Sequence, residues 1–185
     1  MGEKSTGEVK LAACMDTGAA EEELVRLLSK KGLTISTAES CTGGLVSAKL
    51  VNVAGASEVF REGFVTYSNK AKRKTLDVSK STIRKEGAVS AQTAKEMAVG
   101  AALMADTDIA VSVTGNAGPS AEEDKPVGLV YIGVYAGGKA RALEYHFEGG
   151  RNEIRAAAAE EAVKAALSAT QKFLEKKETK TKENK

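Results

Sequence analysis

Tryptophan is absent from this chain of 185 residues, histidine occurs once, cysteine and proline twice each, and aromatic residues make up only 4%. One histidine cannot build an HExxH or Cys/His zinc site, and Cys14 and Cys41 fit no CxxC spacing. Because two such cysteines give no disulfide framework, we expect a reducing, cytoplasmic setting and no metal centre. No apolar run approaches the roughly 18 residues that span a bilayer, so we expect no membrane partner.

A large excess of positive charge is also missing. The net charge is +2, and residues 172–185 hold six lysines and three glutamates, which leaves the rest of the chain at −1. Nucleic-acid-binding domains usually gather Lys and Arg on one face, often beside aromatic groups that stack on bases. We therefore expect no nucleic-acid partner, whereas the sequence leaves a homo-oligomer open.

The chain is long enough for one domain with a real core. We predict a flexible leader over residues 1–20, a folded domain over 21–176 and a charged, disordered tail over 177–185. Apolar periodicity predicts helices over residues 21–31, 45–52, 90–105 (with Ser90 as N-cap) and 151–176. Strands are predicted over residues 34–38, 64–67, 109–113, 129–135 and 140–147. The acidic stretch 122–124 is predicted to be mobile.

Helices alternate with strands, and the last two strands form a hairpin across Gly137 and Gly138. This order predicts an α/β fold, a three-layer α/β/α sandwich with a mixed, mostly parallel sheet. Ligands of such sheets collect where strands end in loops that open helices. Three loops of that kind carry polar and glycine residues: 39–44, 67–72 and 114–119.

Ser40 follows a predicted strand and precedes Thr42, Gly43 and Gly44. Its hydroxyl is therefore placed near the N-terminus of a helix, where free amide groups can stabilise an oxyanion or hold a phosphate. The alternative is that Ser40 or Thr42 simply caps this helix. Cys41 is a rival nucleophile, but it has no obvious histidine partner, and a small buried apolar group is the favoured interpretation.

A serine nucleophile needs a base, and the lone His146 lies in a predicted hairpin strand, which gives a Ser-His-Asp triad little support. A lysine whose pKa is lowered by burial can replace histidine. Lys70 and Lys72 both follow a strand end, and the nearby Tyr67 phenol is placed to relay a proton or hold the amine. Surface lysines are common, so this pattern alone does not select between them.

Several blocks of the sequence together resemble the carboxy-terminal domain of the competence-damage protein CinA, which also occurs alone as nicotinamide mononucleotide amidohydrolase. The blocks are TAESCTGG (37–44), GFVTYSN (63–69) with Lys72, GAVS (87–90), EMA (96–98), TG (114–115) with AGP (117–119), and PVG (126–128). They occur in order over roughly residues 21–176, which makes the resemblance more specific than any single motif.

The resemblance implies hydrolysis of the nicotinamide mononucleotide carboxamide to nicotinate mononucleotide and ammonia, without a metal or organic cofactor, on a five-stranded sheet. It implies Ser40 as nucleophile, Lys72 as base and Tyr67 as assisting group. Lys70 is then no longer the favoured candidate for the base. Thr114 and Arg151 fall where family members hold the substrate nucleotide. We expect the oxyanion to be stabilised by amides of Thr42, Gly43 and Gly44, or of Thr114 and Gly115.

Two departures from the family pattern bear on this expectation. Asn116 stands where many relatives have isoleucine, and residues 120–124 replace a glycine-rich stretch. Two alternatives therefore stay open: a non-catalytic nucleotide-binding or interaction domain, and an amidase for another small carboxamide. The amino-terminal domain of full-length CinA proteins is missing from this sequence, which favours the stand-alone enzyme as an expectation.

Overall fold

The structure is a computed structural model that describes the backbone of residues 18–183 and the side chains of residues 18–179. Most of the predicted leader, with Cys14, lies outside the described residues. The helices are α1 (Ala19–Lys31), α2 (Leu45–Val51), α3 (Ala56–Val59), α4 (Asn69–Leu76), α5 (Lys80–Glu86), α6 (Ala91–Ala105) and α7 (Arg151–Glu183). The strands are β1 (Ile35–Glu39), β2 (Phe60–Val65), β3 (Ile109–Gly115), β4 (Leu129–Ala136) and β5 (Lys139–His146).

The five strands form one mixed sheet in the order β2-β1-β3-β4-β5. β1 pairs in parallel with both β2 and β3, whereas β4 runs antiparallel to β3 and β5. Four of the five strands therefore point the same way, and β4 alone is reversed. This confirms the predicted mixed, mostly parallel sheet and the hairpin at its edge.

Helices cover both faces of the sheet, which confirms the three-layer sandwich. α1, α2 and α7 pack on one face, and α6 packs on the other with α4 and α5 beside it. The central strands β1 and β3 are buried along nearly their whole length, as expected for strands covered on both sides. The two apolar cores include Leu24, Leu28, Ile35, Ile109, Ile132 and Ile154 on the α7 side, and Phe64, Leu76, Met97 and Ala101 on the α6 side.

The carboxyl ends of β1, β2 and β3 lie side by side at one edge of the sheet. Glu39, the last residue of β1, is in register with Val65 of β2 and Val113 of β3. The loops that follow these strands therefore emerge together, which places the loops containing Ser40, Tyr67 and Gly115 around one edge.

Strand β2 lies earlier in the chain than predicted, over Phe60–Val65 instead of residues 64–67. It is an edge strand in which Arg61, Glu62 and Gly63 are exposed, so its sequence shows no apolar run. The Thr66 amide makes the last contact with β1, donating to the Glu39 carbonyl at 2.8 Å. Tyr67 has left the sheet, and Ser68 caps α4 by accepting the Ala71 amide at 3.1 Å. The short helices α3 and α5 were not predicted either.

The tail prediction is wrong up to Glu183, because α7 continues to that residue. Lysine and glutamate favour helical backbone, and the Thr179 hydroxyl donates to the Glu175 carbonyl at 3.0 Å along the same helix. Although α7 has 33 residues, neither it nor any other helix between residues 18 and 183 is long and apolar enough to cross a membrane.

Helix α6 sits against the end of α4 because Gly100 has no side chain. A Cβ atom at Gly100 would lie 2.1 Å from the Leu76 carbonyl oxygen, at the last residue of α4. This contact involves backbone, which cannot rotate away as a flexible side chain can. The spacing between α4 and α6 therefore depends on glycine at this position.

We expect Gly100→Ala to lower the free energy of unfolding by about 1–3 kcal/mol, because overpacking outweighs the gain that alanine brings to a helix. Equilibrium denaturation with urea measures this change. Leu103→Ala is the matched control on α6, since its side chain is 71% exposed and its loss should cost within about 0.5 kcal/mol. A Gly100→Ala protein as stable as the wild type would contradict this account of the packing.

Candidate active site

Ser40 opens a tight turn directly after β1. Its amide donates to the Val113 carbonyl at 2.9 Å, which extends the pairing of β1 with β3 by one residue. The Gly43 amide then donates back to the Ser40 carbonyl at 3.1 Å, closing a β-turn over residues 40–43. Gly43 has φ of 61°, a left-handed conformation that glycine adopts without a steric cost. The serine is therefore fixed by the sheet on one side and the turn on the other.

Neither Ser40 nor Thr42 caps helix α2, so the capping alternative is wrong. The N-cap position is Gly44, and the buried carboxylate of Glu39 does the capping from the end of β1. It accepts the amides of Gly44 at 2.9 Å, Val46 at 3.1 Å and Ser47 at 2.8 Å, together with the Ser47 hydroxyl at 2.7 Å. A negative charge is well placed at a helix N-terminus. The serine hydroxyl is thereby left for other contacts.

This cap also corrects part of the predicted oxyanion hole. The Gly44 amide is bound by Glu39 and the Gly43 amide by the Ser40 carbonyl, so neither is free to receive an oxyanion. Backbone groups of successive strand residues point alternately to the two neighbouring strands. The Val113 carbonyl points toward β1, where it accepts the Ser40 amide, so the Gly115 amide two residues later points toward β1 as well. The Thr114 amide faces β4 by the same alternation. Among the described residues the amides of Thr42 and Gly115 have no backbone hydrogen-bond partner, although the Thr42 amide also lies close enough to the Cys41 sulfur to lower the pKa of that thiol slightly against the larger effect of burial.

The structure brings Ser40 and Lys72 together. The Lys72 Nζ lies 2.9 Å from the Ser40 Oγ and donates to the Thr66 carbonyl at 3.0 Å. Lys72 is in the first turn of α4 and is only 1% exposed, whereas Lys70 in the same turn is exposed. The structure thus separates the two lysines that the sequence pattern alone left as alternatives.

Burial changes the acidity of this lysine. Desolvation lowers the pKa of Lys72 to about 8, against a smaller opposite effect of Cys41, Glu123 and Glu122. About a tenth of the amine is therefore uncharged at pH 7, far more than for a lysine of ordinary pKa. An uncharged amine within hydrogen-bond distance of a serine hydroxyl is able to take its proton.

Cys41 is a poor rival to Ser40. Its side chain is buried, and desolvation raises the pKa of the thiol to about 11. Because the thiolate is the nucleophilic form, this thiol is almost entirely unreactive at neutral pH. His146 lies three strands away from β1, on the edge strand β5, and pairs with Glu144 at 2.9 Å.

Tyr67 does not hold the amine of Lys72. Its ring is 61% exposed, and its hydroxyl accepts a hydrogen bond from the Arg151 guanidinium at 3.1 Å. Within the described part of the chain no hydrogen bond joins Tyr67 to Ser40 or Lys72, and the Thr66 carbonyl takes the place predicted for the phenol. Arg151 also donates to the Gly118 carbonyl at 2.5 Å, so it links the loops after β2 and β3.

The hydroxyl of Thr114 is committed to the fold. Thr114 is 1% exposed, and its Oγ1 donates to the Ala88 carbonyl at 2.7 Å. Two other threonine hydroxyls, those of Thr42 and Thr66, are buried without a hydrogen-bond partner among the described residues. Unsatisfied buried hydroxyls are rare. Thr42 follows Ser40 by two residues, and the Thr66 carbonyl binds the Lys72 amine, so both hydroxyls belong to residues next to the serine and lysine pair.

The segment after Pro119 is held in place, contrary to the prediction of a mobile acidic stretch. Glu123 and Asp124 form a tight turn with positive φ, closed by the Lys125 amide and the Glu122 carbonyl at 3.1 Å. The Glu123 carboxylate accepts the amides of Ala88 and Val89, and Lys125 donates to the Glu86 and Val89 carbonyls at 2.6 Å. The Asn116 amide donates to the carbonyls of Glu122 and Lys125, both at 2.9 Å.

Arg155 is a contact that the sequence interpretation missed. It lies on α7 and donates through Nε to the Cys41 carbonyl at 3.0 Å and through Nη2 to the Thr42 carbonyl at 2.9 Å. Its position four residues after Arg151 puts both guanidinium groups on the same face of the helix, which is the signal that could have identified it.

No three His, Cys, Asp or Glu side chains among the described residues are arranged to hold a metal ion. A groove of about 670 Å³ lies at the opposite end of β4, beside Phe173 and several lysines, and does not contain the serine and lysine pair. The chemistry that the arrangement supports is therefore a lysine-activated serine at the carboxyl edge of the sheet.

Comparison with known proteins agrees with this architecture. Residues 17–170 match the CinA C-terminal domain. A CinA-like protein of Kosmotoga olearia is 59% identical over 140 residues, which are 75% of this chain and 34% of that protein. The chain thus spans about a third of the length of that relative.

Solved structures show the same fold. The competence/damage inducible protein CihA from Agrobacterium tumefaciens is 42% identical with a TM-score of 0.76, covering 83% of this chain and 98% of that one. A competence-damaged protein (CinA) superfamily protein from Escherichia coli is 33% identical with a TM-score of 0.79, covering 88% of this chain and 94% of that one. With the match over nearly the whole described fold, this chain belongs to the family of CinA C-terminal domains.

Proposed function

We propose that this domain hydrolyses the carboxamide of nicotinamide mononucleotide to nicotinate mononucleotide and ammonia, a step of pyridine-nucleotide salvage. The observation that carries the proposal is the 2.9 Å contact between the Ser40 Oγ and the buried Lys72 Nζ. The resemblance of the sequence to nicotinamide mononucleotide amidohydrolases supplies the substrate. Serine and lysine pairs serve as nucleophile and base in acyl transfer.

In the first half of the reaction, uncharged Lys72 takes the Ser40 proton and the Oγ forms a bond to the carboxamide carbon. The negative oxygen of the tetrahedral intermediate is received by the backbone amides of Thr42 and Gly115. The carbon–nitrogen bond then breaks, and the nitrogen leaves as ammonia with the proton that Lys72 carried. The Thr66 carbonyl keeps the amine oriented throughout.

In the second half, Lys72 takes a proton from water, and the resulting hydroxide attacks the ester. The bond to Ser40 breaks, Lys72 returns the proton to the Oγ, and the carboxylate product leaves. Atoms and charge balance over both halves: one water is consumed, and the proton of the carboxylic acid passes to the ammonia, so that carboxylate and ammonium are the final products.

Arg151 supports a nucleotide as the substrate. It is the first residue of α7, where the helix N-terminus favours an anion, and its side chain is exposed beside Tyr67 and Gly118. A guanidinium can bind a phosphate with two parallel hydrogen bonds. We assign the substrate phosphate to this end of the site.

We expect Ser40→Ala and Lys72→Met each to lower ammonia release from nicotinamide mononucleotide by at least about a thousandfold, because nucleophile and base act as a unit. Lys70→Met is the matched control: it removes an exposed lysine on the same helix turn and should keep full activity.

The same ammonia assay with nicotinamide and its riboside tests the substrate class, and only preference for the mononucleotide supports the proposal. Full activity of either site variant would contradict the roles of Ser40 and Lys72. Binding of the mononucleotide without product would favour the non-catalytic alternative, and a phosphate-independent preference would favour another amidase.

We expect the rate to rise with pH up to about 8. Below the lowered pKa of Lys72 the amine is protonated and cannot act as base, so kcat/KM should fall about tenfold for each pH unit. Above it the rate should level off. Steady-state rates from pH 6 to 9.5 measure this profile, and a rate that is flat over this range would exclude Lys72 as the titrating base.

Lys72 should also lower the stability of the fold. Its pKa is about 8 when folded and 10.5 as the ordinary value, so the unfolded chain binds more protons between these limits and stability rises with pH there. We expect Lys72→Met to raise the free energy of unfolding at pH 7 by up to about 3 kcal/mol, and therefore to unfold at a higher temperature than the wild type.

The difference between Lys72→Met and the wild type should shrink as pH rises from 8 toward 10.5, because the wild-type amine is then neutral in both states. Thermal unfolding followed by circular dichroism at several pH values measures the difference, with Lys70→Met as control. A Lys72→Met protein that is less stable than wild type at pH 7 would show that the ammonium is not strained by burial.

A further inference from the structure

The Arg155 side chain binds the turn that carries Ser40 from the side of α7. Residues 40–43 form the β-turn closed by the Gly43 amide, and the carbonyls of its two central residues, Cys41 and Thr42, both accept hydrogen bonds from Arg155. One rigid guanidinium therefore fixes the orientation of two consecutive peptide planes.

The orientation of these planes sets the direction of their amide groups. In a trans peptide the N–H points opposite to the C=O. The Cys41 carbonyl faces Arg155, so the Thr42 amide points to the other side of the turn. The Thr42 carbonyl also faces Arg155, and the Gly43 amide on the other side meets the Ser40 carbonyl. Losing the guanidinium would remove the contact that orients the Cys41–Thr42 plane, whereas the Thr42–Gly43 plane would keep the hydrogen bond of the Gly43 amide.

The contacts of Arg155 distinguish it from a substrate-binding arginine. Its Nε and Nη2 are bound to the turn, and Nη1 donates to the Asn152 side chain at 3.4 Å on the same helix. Arg151, one turn earlier, is exposed and its guanidinium contacts the Tyr67 hydroxyl. The two arginines therefore differ in position: one holds the nucleophile turn and the other lies at the open side of the site.

We propose that Arg155 is a positioning residue for the reaction, which holds the turn 40–43 so that the Ser40 hydroxyl stays in contact with Lys72 and the Thr42 amide faces the developing oxyanion. The inference rests on the proposed role of Ser40 as nucleophile. Arg155 acts through the turn and not through contact with the substrate, so its loss affects the chemical step more than substrate binding.

Arg155→Lys is the main variant, because it keeps the charge and the aliphatic stem while one ammonium cannot reproduce a fork bound to two carbonyls. We expect kcat for ammonia release to fall about 10–100-fold, the size caused by small misplacement of reacting groups. KM should stay within about threefold, since ground-state binding is kept. Arg26→Lys, an exposed arginine on α1, is the matched control and should behave as wild type.

Two further measurements separate positioning from a purely structural role. Arg155→Ala should regain part of its activity when ethylguanidinium is added, whereas the ammonium ion should restore none. The pH at which the rate levels off should remain near that of the wild type in Arg155→Lys, because Lys72 keeps its burial. Circular dichroism and thermal unfolding check that each variant is folded, and if Arg155→Ala does not fold, Arg155→Gln replaces it in the rescue experiment.

Labelling of Ser40 by a fluorophosphonate, a general serine-reactive probe, makes the outcome independent of the substrate. A slower labelling rate in Arg155→Lys supports the positioning role even if nicotinamide mononucleotide is not the substrate. Failure of the wild type to hydrolyse nicotinamide mononucleotide would refute only the proposed function. Equal labelling rates, or a raised KM with unchanged kcat, would overturn the positioning role. A wild-type protein in which Ser40 is not labelled would overturn it as well, because there would be no activated serine to position.

Discussion

The site depends on an amine that is kept out of water. Lys72 is almost completely buried, and its Nζ contacts the Ser40 hydroxyl and the Thr66 carbonyl. No carboxylate of the described residues is hydrogen-bonded to it. A carboxylate partner would favour the ammonium form and raise the pKa, whereas desolvation with neutral partners lowers it. The remaining structure can be understood as what it takes to bring this amine to the serine: two adjacent parallel strands, a helix capped at Ser68, and close packing of that helix against α6 at Gly100.

Three charged residues around the site bind backbone groups of its loops and helix ends. Glu39 binds amides at the start of α2, Arg155 binds carbonyls of the turn, and Arg151 binds the Gly118 carbonyl and the Tyr67 hydroxyl. A charge paired with several backbone dipoles satisfies groups that would otherwise lack partners at loops and helix ends. Among the described residues, the loops around Ser40 are thereby fixed without a carboxylate in hydrogen-bond contact with the Lys72 amine.

The sequence allowed the sheet and the central pair to be predicted, but not the groups that support them. Buried strands such as β3 and the capped helix α6 have strong local signals, and parallel strand ends must share an edge, so the convergence of the loops followed from strand order. The distinction between Lys70 and Lys72 came from the family resemblance, because it depends on burial. Glu39 and Arg155 bind backbone atoms across the fold, and a single acidic or basic residue carries no local signal for such a contact. Edge strand β2 was misplaced because four of its six residues are exposed.

The two departures from the family pattern are coupled in the structure. Asn116 stands in place of the isoleucine of many relatives, and residues 120–124 in place of a glycine-rich stretch, and the Asn116 side chain binds the carbonyls at both ends of the turn in that segment. Asn116 is buried, so an isoleucine there would leave the carbonyls of Glu122 and Lys125 without this donor. The polar side chain and the non-glycine turn therefore depend on each other. Glu122 and Glu123 raise the pKa of Lys72 against the larger effect of burial, so this segment belongs to the electrostatic environment of the base.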